Sequence, residues 1–306
     1  MIKLHFHADC DGVVSAFFVS KELDRFCRYS LHPSLGATVE LRGEAIALDI
    51  SKVDARGKWN LVIDHHVSRR PGCFYSNPRG AGFEWPVSFL SYLLFGDRKE
   101  SWIAAIGVVG DWCADRVPAG FWDVVKEEYP ELVPEVDNRV LTHHKIGEMI
   151  LMLESVISVE RSKGALYALE ALKSARGWRQ FYEGKGKARK LKKTKAVVLG
   201  ELDRVFGNEQ VTPGYALLRF SSPYRIKSLV AGRAKDEYPD RMVVVAQDEE
   251  DKVRLSFRNA DALDRLVPEL TKGIGEGGGH PRASGGWVWK DKWDVFEARL
   301  KKLGKS

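Results

Sequence analysis

The sequence predicts an α/β chain: an N-terminal doubly wound parallel sheet, a helical connector and a smaller C-terminal α/β domain. Three observations carry this. Ala45-Ile46-Ala47-Leu48 and Leu61-Val62-Ile63 are apolar throughout and stop abruptly at Asp49 and at Asp64-His65-His66, as buried parallel strands do. Helical spacing alternates with such runs up to about Pro118, which argues for a doubly wound sheet. Strand-like runs then vanish and return only near residue 195. The boundaries expected are 1–150 for the first domain, 151–194 for a helical connector with a basic linker, and 195–306 for the second domain.

Taken in order, Ile2 to Phe6 reads as a strand and Gly12 to Phe26 as a helix, with apolar residues at Val13, Val14, Phe17, Phe18 and Leu23. His7-Ala8-Asp9-Cys10-Asp11-Gly12 therefore falls where strand hands over to helix, the edge at which open α/β sheets bind ligands. Asn77-Pro78-Arg79-Gly80 is a turn, and Ser88 to Phe95 and Trp102 to Val109 are helices. Trp122 to Tyr182 shows helical spacing only, with Met149, Ile150, Met152, Leu153, Val156 and Ile157 recurring in one stretch and Leu166, Leu169 and Leu172 in the next. The lysine-rich run from Gly184 to Lys195 reads as a solvated linker face; its functional alternative is a basic strip facing a polyanion. Strands are expected at Ala196 to Leu199, Ala216 to Phe220, Met242 to Val245 and Val253 to Phe257. Helices are expected from Ile226 to Asp236 and from Ala260 to Leu270.

Bulk properties narrow the classes. Hydrophobic residues make up 44% and charged residues 29% of 306, a globular balance, with a net charge of +6 that suits an anionic partner. No apolar run spans a bilayer and the N-terminus lacks the pattern of a signal peptide, so no membrane association is expected. Cys10, Cys27, Cys73 and Cys113 have no paired spacing and read as reduced thiols of a cytoplasmic protein.

The chemistry lies in the residues that close the first-domain strands: His7, Asp9, Asp11, Asp49, Asp64, His65 and His66, joined by Asp111 after the helical run Gly107-Val108-Val109-Gly110. Alone, each has a bland reading, such as capping the next helix. Together they would gather five carboxylates and three imidazoles at one sheet edge, and burying that many anions needs a counter-charge. Divalent cations supply it, and mixed carboxylate and imidazole ligation suits manganese better than calcium. Two such ions roughly 3.5–4 Å apart can clamp a phosphoryl oxygen and activate water, a chemistry of phosphate-ester hydrolysis.

At these residues the chain resembles the DHH phosphoesterase superfamily. His7-x-Asp9-x-Asp11-Gly12, Asp49, Asp64-His65-His66 and Gly110-Asp111 look like its four successive motifs. Leu255-Ser256-Phe257-Arg258-Asn259 with Gly277-Gly278-Gly279-His280-Pro281 is similar to the DHH-associated domain of subfamily 1. His7 stands where RecJ has an acid, Ala8 where many nano-RNases have proline, and Glu276 where the family shows a first glycine. The first motif thus looks more like the archaeal RecJ-like branch.

The resemblance implies two divalent cations, manganese foremost with magnesium or cobalt as alternatives. His7 and Asp9 would hold one. Asp11, His65 and Asp111 would hold the other, with Asp49 bridging. Asp64 would orient the histidines and His66 would face the scissile phosphate. Arg258, Gly277, Gly278, Gly279 and His280 would grip the far end of the substrate, the glycines as a phosphate-cradling loop, in a cleft between the domains. The expected substrates are short single-stranded RNA or DNA oligonucleotides or small nucleotides. Alternatives are a single-strand exonuclease with repair or replication partners, a cyclic-dinucleotide or 3′-phosphoadenosine phosphate hydrolase, and a non-catalytic subunit. Homodimerisation stays open. Trp85, Trp287 and Trp289 are candidates for stacking on bases.

Overall fold

The computed structural model describes residues 1–36, 38–57, 59–67 and 70–303, with His280 described in its backbone alone. Contacts divide the chain into two units, Met1–Lys195 and Ala196–Ser306.

The first unit begins with β1 (Ile2–His7), α1 (Cys10–Leu23), β2 (Tyr29–Ser34), β3 (Thr38–Leu41), β4 (Ala45–Leu48), β5 (Lys52–Ala55), β6 (Asn60–Ile63) and β7 (Phe74–Ser76). Five of these strands form a wholly parallel sheet in the order β2-β1-β4-β6-β7. Strand order reverses between β1 and β4, so a switch point opens at their carboxyl ends. Side chains alternate across the sheet. Leu4, Phe6, Leu48 and Ile63 pack with α1, α2 (Val87–Phe95) and α3 (Ser101–Gly110) in the main core. Ala45, Ala47 and Val62 turn the other way, against Leu41 and Ile50 beside the parallel pair β3–β5.

Residues 119–182 contain helices and no strand: α4 (Ala119–Glu128), α5 (Asn138–Thr142), α6 (Lys145–Glu160), α7 (Ser162–Ser174) and α8 (Trp178–Tyr182). Met149, Met152, Leu153, Leu169 and Leu172 share the core of the sheet helices. The strand expected at Ala196 to Leu199 does not form; these residues lie within α9 (Ala188–Val205). The β-branched pair Val197-Val198 is too short a signal to outweigh the longer pattern, in which Leu191, Val198, Leu202 and Val205 are buried at helical spacing while Val197 is half exposed. Of the seven cations from 185 to 195, most of them within α9, four are paired with acids. Lys187 pairs with Glu170, Lys190 with Glu160, Lys195 with Glu148 and Lys185 with Glu183.

The second unit contains β8 (Gln210–Val211), β9 (Tyr215–Ser221), α10 (Lys227–Glu237), β10 (Met242–Asp248), β11 (Lys252–Arg258), α11 (Leu263–Thr271), β12 (Gly275–His280), β13 (Ala283–Trp289) and α12 (Trp293–Leu303). Its sheet runs β12-β13-β11-β10-β9-β8, with only β9 and β10 parallel. The glycine run, expected as a phosphate-cradling loop, is the edge strand β12. A Cβ on Gly277 would lie 2.6 Å from Val267 Cγ1, so the bare position lets α11 pack directly on the sheet. Among the described residues no helix is long and apolar enough to cross a membrane.

Candidate metal centre

The carboxyl ends of β1, β4 and β6 bring the predicted side chains together. After β1 the chain turns straight into α1, and Gly12 makes this possible: a Cβ there would lie 2.1 Å from the His7 carbonyl oxygen. Asp9 caps α1, its Oδ1 accepting from the Gly12 N–H at 3.0 Å, while its Oδ2 lies 2.5 Å from His7 Nδ1. Asp11, just inside α1 and buried, accepts from the N–H groups of Val87 (2.9 Å) and Ser88 (2.8 Å) at the start of α2, one on each oxygen. A helix N-terminus is a favourable place for a carboxylate. Both acids thus fill the capping role as well as facing the cluster.

Asp49 follows β4 in the left-handed region, φ +57°, a conformation that aspartate tolerates and most residues resist. That turn aims its carboxylate back over the sheet edge. Oδ2 lies 3.6 Å from His7 Nδ1; Oδ1 lies 3.4 Å from His65 Nε2 and 3.7 Å from His66 Nδ1. Asp64, fully buried after β6, is bonded to His66 Nδ1 at 2.8 Å. The turn at Asn77 pins this loop: Asn77 Nδ2 donates to the His66 carbonyl and Arg79 Nε to the His65 carbonyl, each at 3.0 Å. Asp111 ends α3, with Oδ2 at 3.6 Å from His65 Nδ1. Gly110 keeps α3 close to α1, since a Cβ there would meet Cys10 Cβ at 2.8 Å.

The potential ligand atoms fall into three overlapping groups, each within 4.8 Å: His7, Asp9 and Asp49; Asp11, His65 and Asp111; Asp49, His65 and His66. His143 and His144 join none of these groups.

Burial raises the Asp11 pKa well above the carboxylate range, with the charges of Asp49 and Asp111 adding to it, and raises Asp111 to about 6. Burial acts the same way on Asp49, but His65 and His7 outweigh it and hold that carboxyl low. For His65 burial disfavours the charge, yet Asp49, Asp111 and Asp11 together raise it to about 10. The Asp9 charge dominates a strong upward shift of His7. Acids that resist ionising and imidazoles that resist losing a proton mark a site short of positive charge. His65 Nε2 is also buried without a hydrogen-bond partner; its approach to Asp49 is an ion-pair distance only. A hard oxygen and imidazole donor set with an orphaned ring nitrogen fits divalent cations.

One participant escaped the sequence reading. Glu154, from α6, accepts from the Cys10 N–H at 2.8 Å and so holds the N-terminus of α1. Burial, then the Asp9 charge, raises its pKa to about 7. Its signal in the sequence is a single charged residue in the otherwise uncharged stretch Met149 to Ile157. Glu154→Gln keeps an acceptor for Cys10 but removes the negative charge that Glu154 carries beside the His7–Asp9 pair when it ionises above about pH 7. We expect it to weaken manganese binding on the order of 10-fold, with the melting temperature little changed. Glu154→Ala should lower both. Titration calorimetry and thermal melts check this, and unaltered affinity in both variants would show that Glu154 only packs.

No known family profile matches the chain, and no curated protein matches it. Solved structures do. RecJ from Thermus thermophilus in complex with Mn2+ superposes with a TM-score of 0.66 at 14% identity, over 99% of this chain and 52% of that one. The DHH domain of a member of a family of ribosomal proteins gives 0.66 at 15% identity, over 99% and 86%. The chain has the DHH-domain fold. A pGpG-specific phosphodiesterase, PggH, from Vibrio cholerae also shares this fold, with a TM-score of 0.56 at 12% identity over 98% and 97%. The chain spans about half the length of the Thermus RecJ.

Proposed function

We propose that this chain is a manganese-dependent phosphodiesterase acting on short single-stranded oligonucleotides. The observation that carries the reading is the pair of ligand groups, His7–Asp9–Asp49 and Asp11–His65–Asp111, joined at the sheet edge by His65 lying 3.4 Å from Asp49. Support also comes from the neighbours, which include an exonuclease bound to manganese and a phosphodiesterase specific for pGpG. Asp49 is assigned as the bridging ligand. The two ions, when bound, would polarise a phosphoryl oxygen and lower the pKa of water.

The chain's own groups do the rest. Asp64 fixes the His66 ring, and although burial disfavours its charge, Asp64 and Asp49 raise the His66 pKa. A protonated His66 can donate to a phosphate oxygen and stabilise charge as the ester bond breaks. In the second unit, Arg258 donates to Ser256 Oγ (3.0 Å) and the Phe257 carbonyl (2.8 Å), and among the described residues no carboxylate pairs with it. Its guanidinium therefore has donors left for a phosphate, and we assign it the substrate's far end. Gly277, Gly278 and Gly279 are assigned with it, one strand further out across β13, as the bare edge of the sheet. His280 belongs to the same assignment, though its side chain lies outside the described residues.

The deciding experiment is a product time course with manganese on end-labelled RNA and DNA of several lengths and on cyclic dinucleotides. Short strands should be degraded fastest; absence of turnover on all of them removes the hydrolase. Arg258→Ala should raise KM for short strands about 10–100-fold, the size of one or two charge-assisted hydrogen bonds, with manganese stoichiometry unchanged. Unaltered KM and kcat would remove the assignment. The rival exonuclease for long strands rests on the basic run at 185–195, and much of that charge is taken up by neighbouring acids.

A further inference from the structure

Strand alternation sorts the second sheet into two faces. Val253, Leu255, Phe257 and Val288 enter the apolar core with Val267 of α11. Lys252, Arg254, Ser256 and Arg258 of β11, and Gly285, Trp287 and Trp289 of β13, therefore lie on the opposite face. The register sets Ser256 against Gly285, Arg254 against Trp287 and Lys252 against Trp289.

This face is rich in positive charge. Beyond Arg258 at its start, and midway along β11, Lys227, the first residue of α10, donates to the Leu255 carbonyl at 2.9 Å. Burial, then the charges of Arg258, Arg254 and Arg225, pull its pKa to about 8. The acids nearby include Glu249, paired with Arg254 at 3.0 Å and Arg225 at 3.9 Å, and Glu276, opposite Trp287 on β12; Asp251, whose carbonyl accepts from the Lys290 N–H, and Asp291 follow in the turns at the Lys252 end. At the other end Lys252 Nζ stands 4.0 Å from the Trp287 ring centre and 4.7 Å from that of Trp289. The two indoles meet edge-on, centres 4.8 Å apart, and Trp289 is 40% exposed. Between the ends, Gly285 puts no side chain of its own on the face, and the Lys227 ammonium lies 3.7 Å from where its Cβ would stand.

We propose that the Lys252–Trp287–Trp289 cluster is a subsite for an unpaired base and its phosphate in a single-stranded nucleic acid. An ammonium held on an indole pair of which Trp289 is exposed offers a cation to the backbone and a π-face to any base. Cations outnumber acids along the row leading to it, which supplies the charge complementarity. From Arg258 to Lys252 is six residues of strand, about 20 Å at roughly 3.4 Å each. A dinucleotide held at Arg258 falls short of the indoles; a strand of several nucleotides reaches them. The inference rests on the reading of Arg258 as the grip on the substrate's end, and it makes the cluster the part of the surface that senses strand length.

The test is fluorescence anisotropy of the full chain with a labelled dinucleotide and a labelled twelve-nucleotide strand, in EDTA so that nothing is cleaved. Trp289→Ala and Lys252→Ala should each weaken the longer strand about tenfold, the size of one lost base–aromatic stack. The ratio of the two Kd values should move with it. Lys252→Ala should also flatten the salt dependence of the longer strand by about 0.7 in log–log slope. Equal weakening at both lengths, or none, overturns the proposal. Failure of the hydrolase reading shows separately, as lack of turnover by the unmodified chain with manganese, and leaves the anisotropy result standing.

Discussion

Asp49→Asn should abolish the proposed manganese-dependent hydrolysis while leaving the fold in place. Three imidazoles face this one carboxylate, His7, His65 and His66, at 3.4 to 3.7 Å. It belongs to two of the three groups of ligand atoms. Asp49 is a member of the proposed His7–Asp9–Asp49 group and lies 3.4 Å from His65 of the other, so in the bridging role assigned to it its loss acts on both ions at once. The effect on kcat should then exceed the roughly 10–100-fold that removing an outer partner of a metal ligand costs. Asparagine is the informative replacement. It tolerates the left-handed backbone at this position, φ +57°, and keeps an oxygen for the imidazoles, so what it removes is the charge. Alanine adds backbone strain to the lost ligand, so a falling melting temperature would blur the result. Calorimetry should show manganese stoichiometry dropping together with activity. An Asp49→Asn chain that hydrolyses oligonucleotides at the unmodified rate would remove the bridging assignment.

The sheet edge is readable from sequence because a parallel strand buried on both faces is apolar until it ends, and the residues that end it all emerge on one side. That logic places Asp9, Asp11, Asp49, Asp64 and His65 without any knowledge of contacts. It cannot place Glu154, which meets Cys10 across 144 residues. Nor can it show that the Asp11 oxygens are held by Val87 and Ser88, a contact that exists only once α2 has packed on α1. The two local misreadings have different causes. At Ala196 to Leu199 a short β-branched run hides a longer helical pattern set by Leu191, Val198 and Leu202. At Gly275 to Gly279 there is almost no side-chain pattern to read, and strand identity comes from pairing with β13.

Asp111→Asn should make the metal-free chain more stable at neutral pH and should remove the stabilisation a divalent cation adds. The sign follows from the pKa. Burial lifts Asp111 from an ordinary carboxylate value to about 6, and the attraction of His65 at 3.6 Å does not offset it. An acid harder to ionise in the fold than in the unfolded chain costs stability as pH rises from about 4 to about 6, and the full cost persists above that. Asparagine has no charge to bury and can still accept from the Cys113 thiol, which reaches Asp111 Oδ2 at 3.3 Å. The variant's advantage should therefore be largest at pH 7 in EDTA, shrink through this window to a small remainder at pH 4, and vanish only below about pH 3, where the wild-type acid is protonated in both states. Manganese reverses the order. An ion at a hundred times its Kd contributes about 2.7 kcal/mol, and the unmodified chain would gain it while the variant, short of one ligand, would gain far less. Thermal melts at pH 4, 5.5 and 7, with EDTA and with manganese, read both effects. A variant no more stable than the unmodified chain at pH 7 in EDTA would show that Asp111 is not strained by its surroundings. Equal gains from manganese would show that it holds no ion. The two together would mean that Asp111 neither carries a strained charge nor holds an ion.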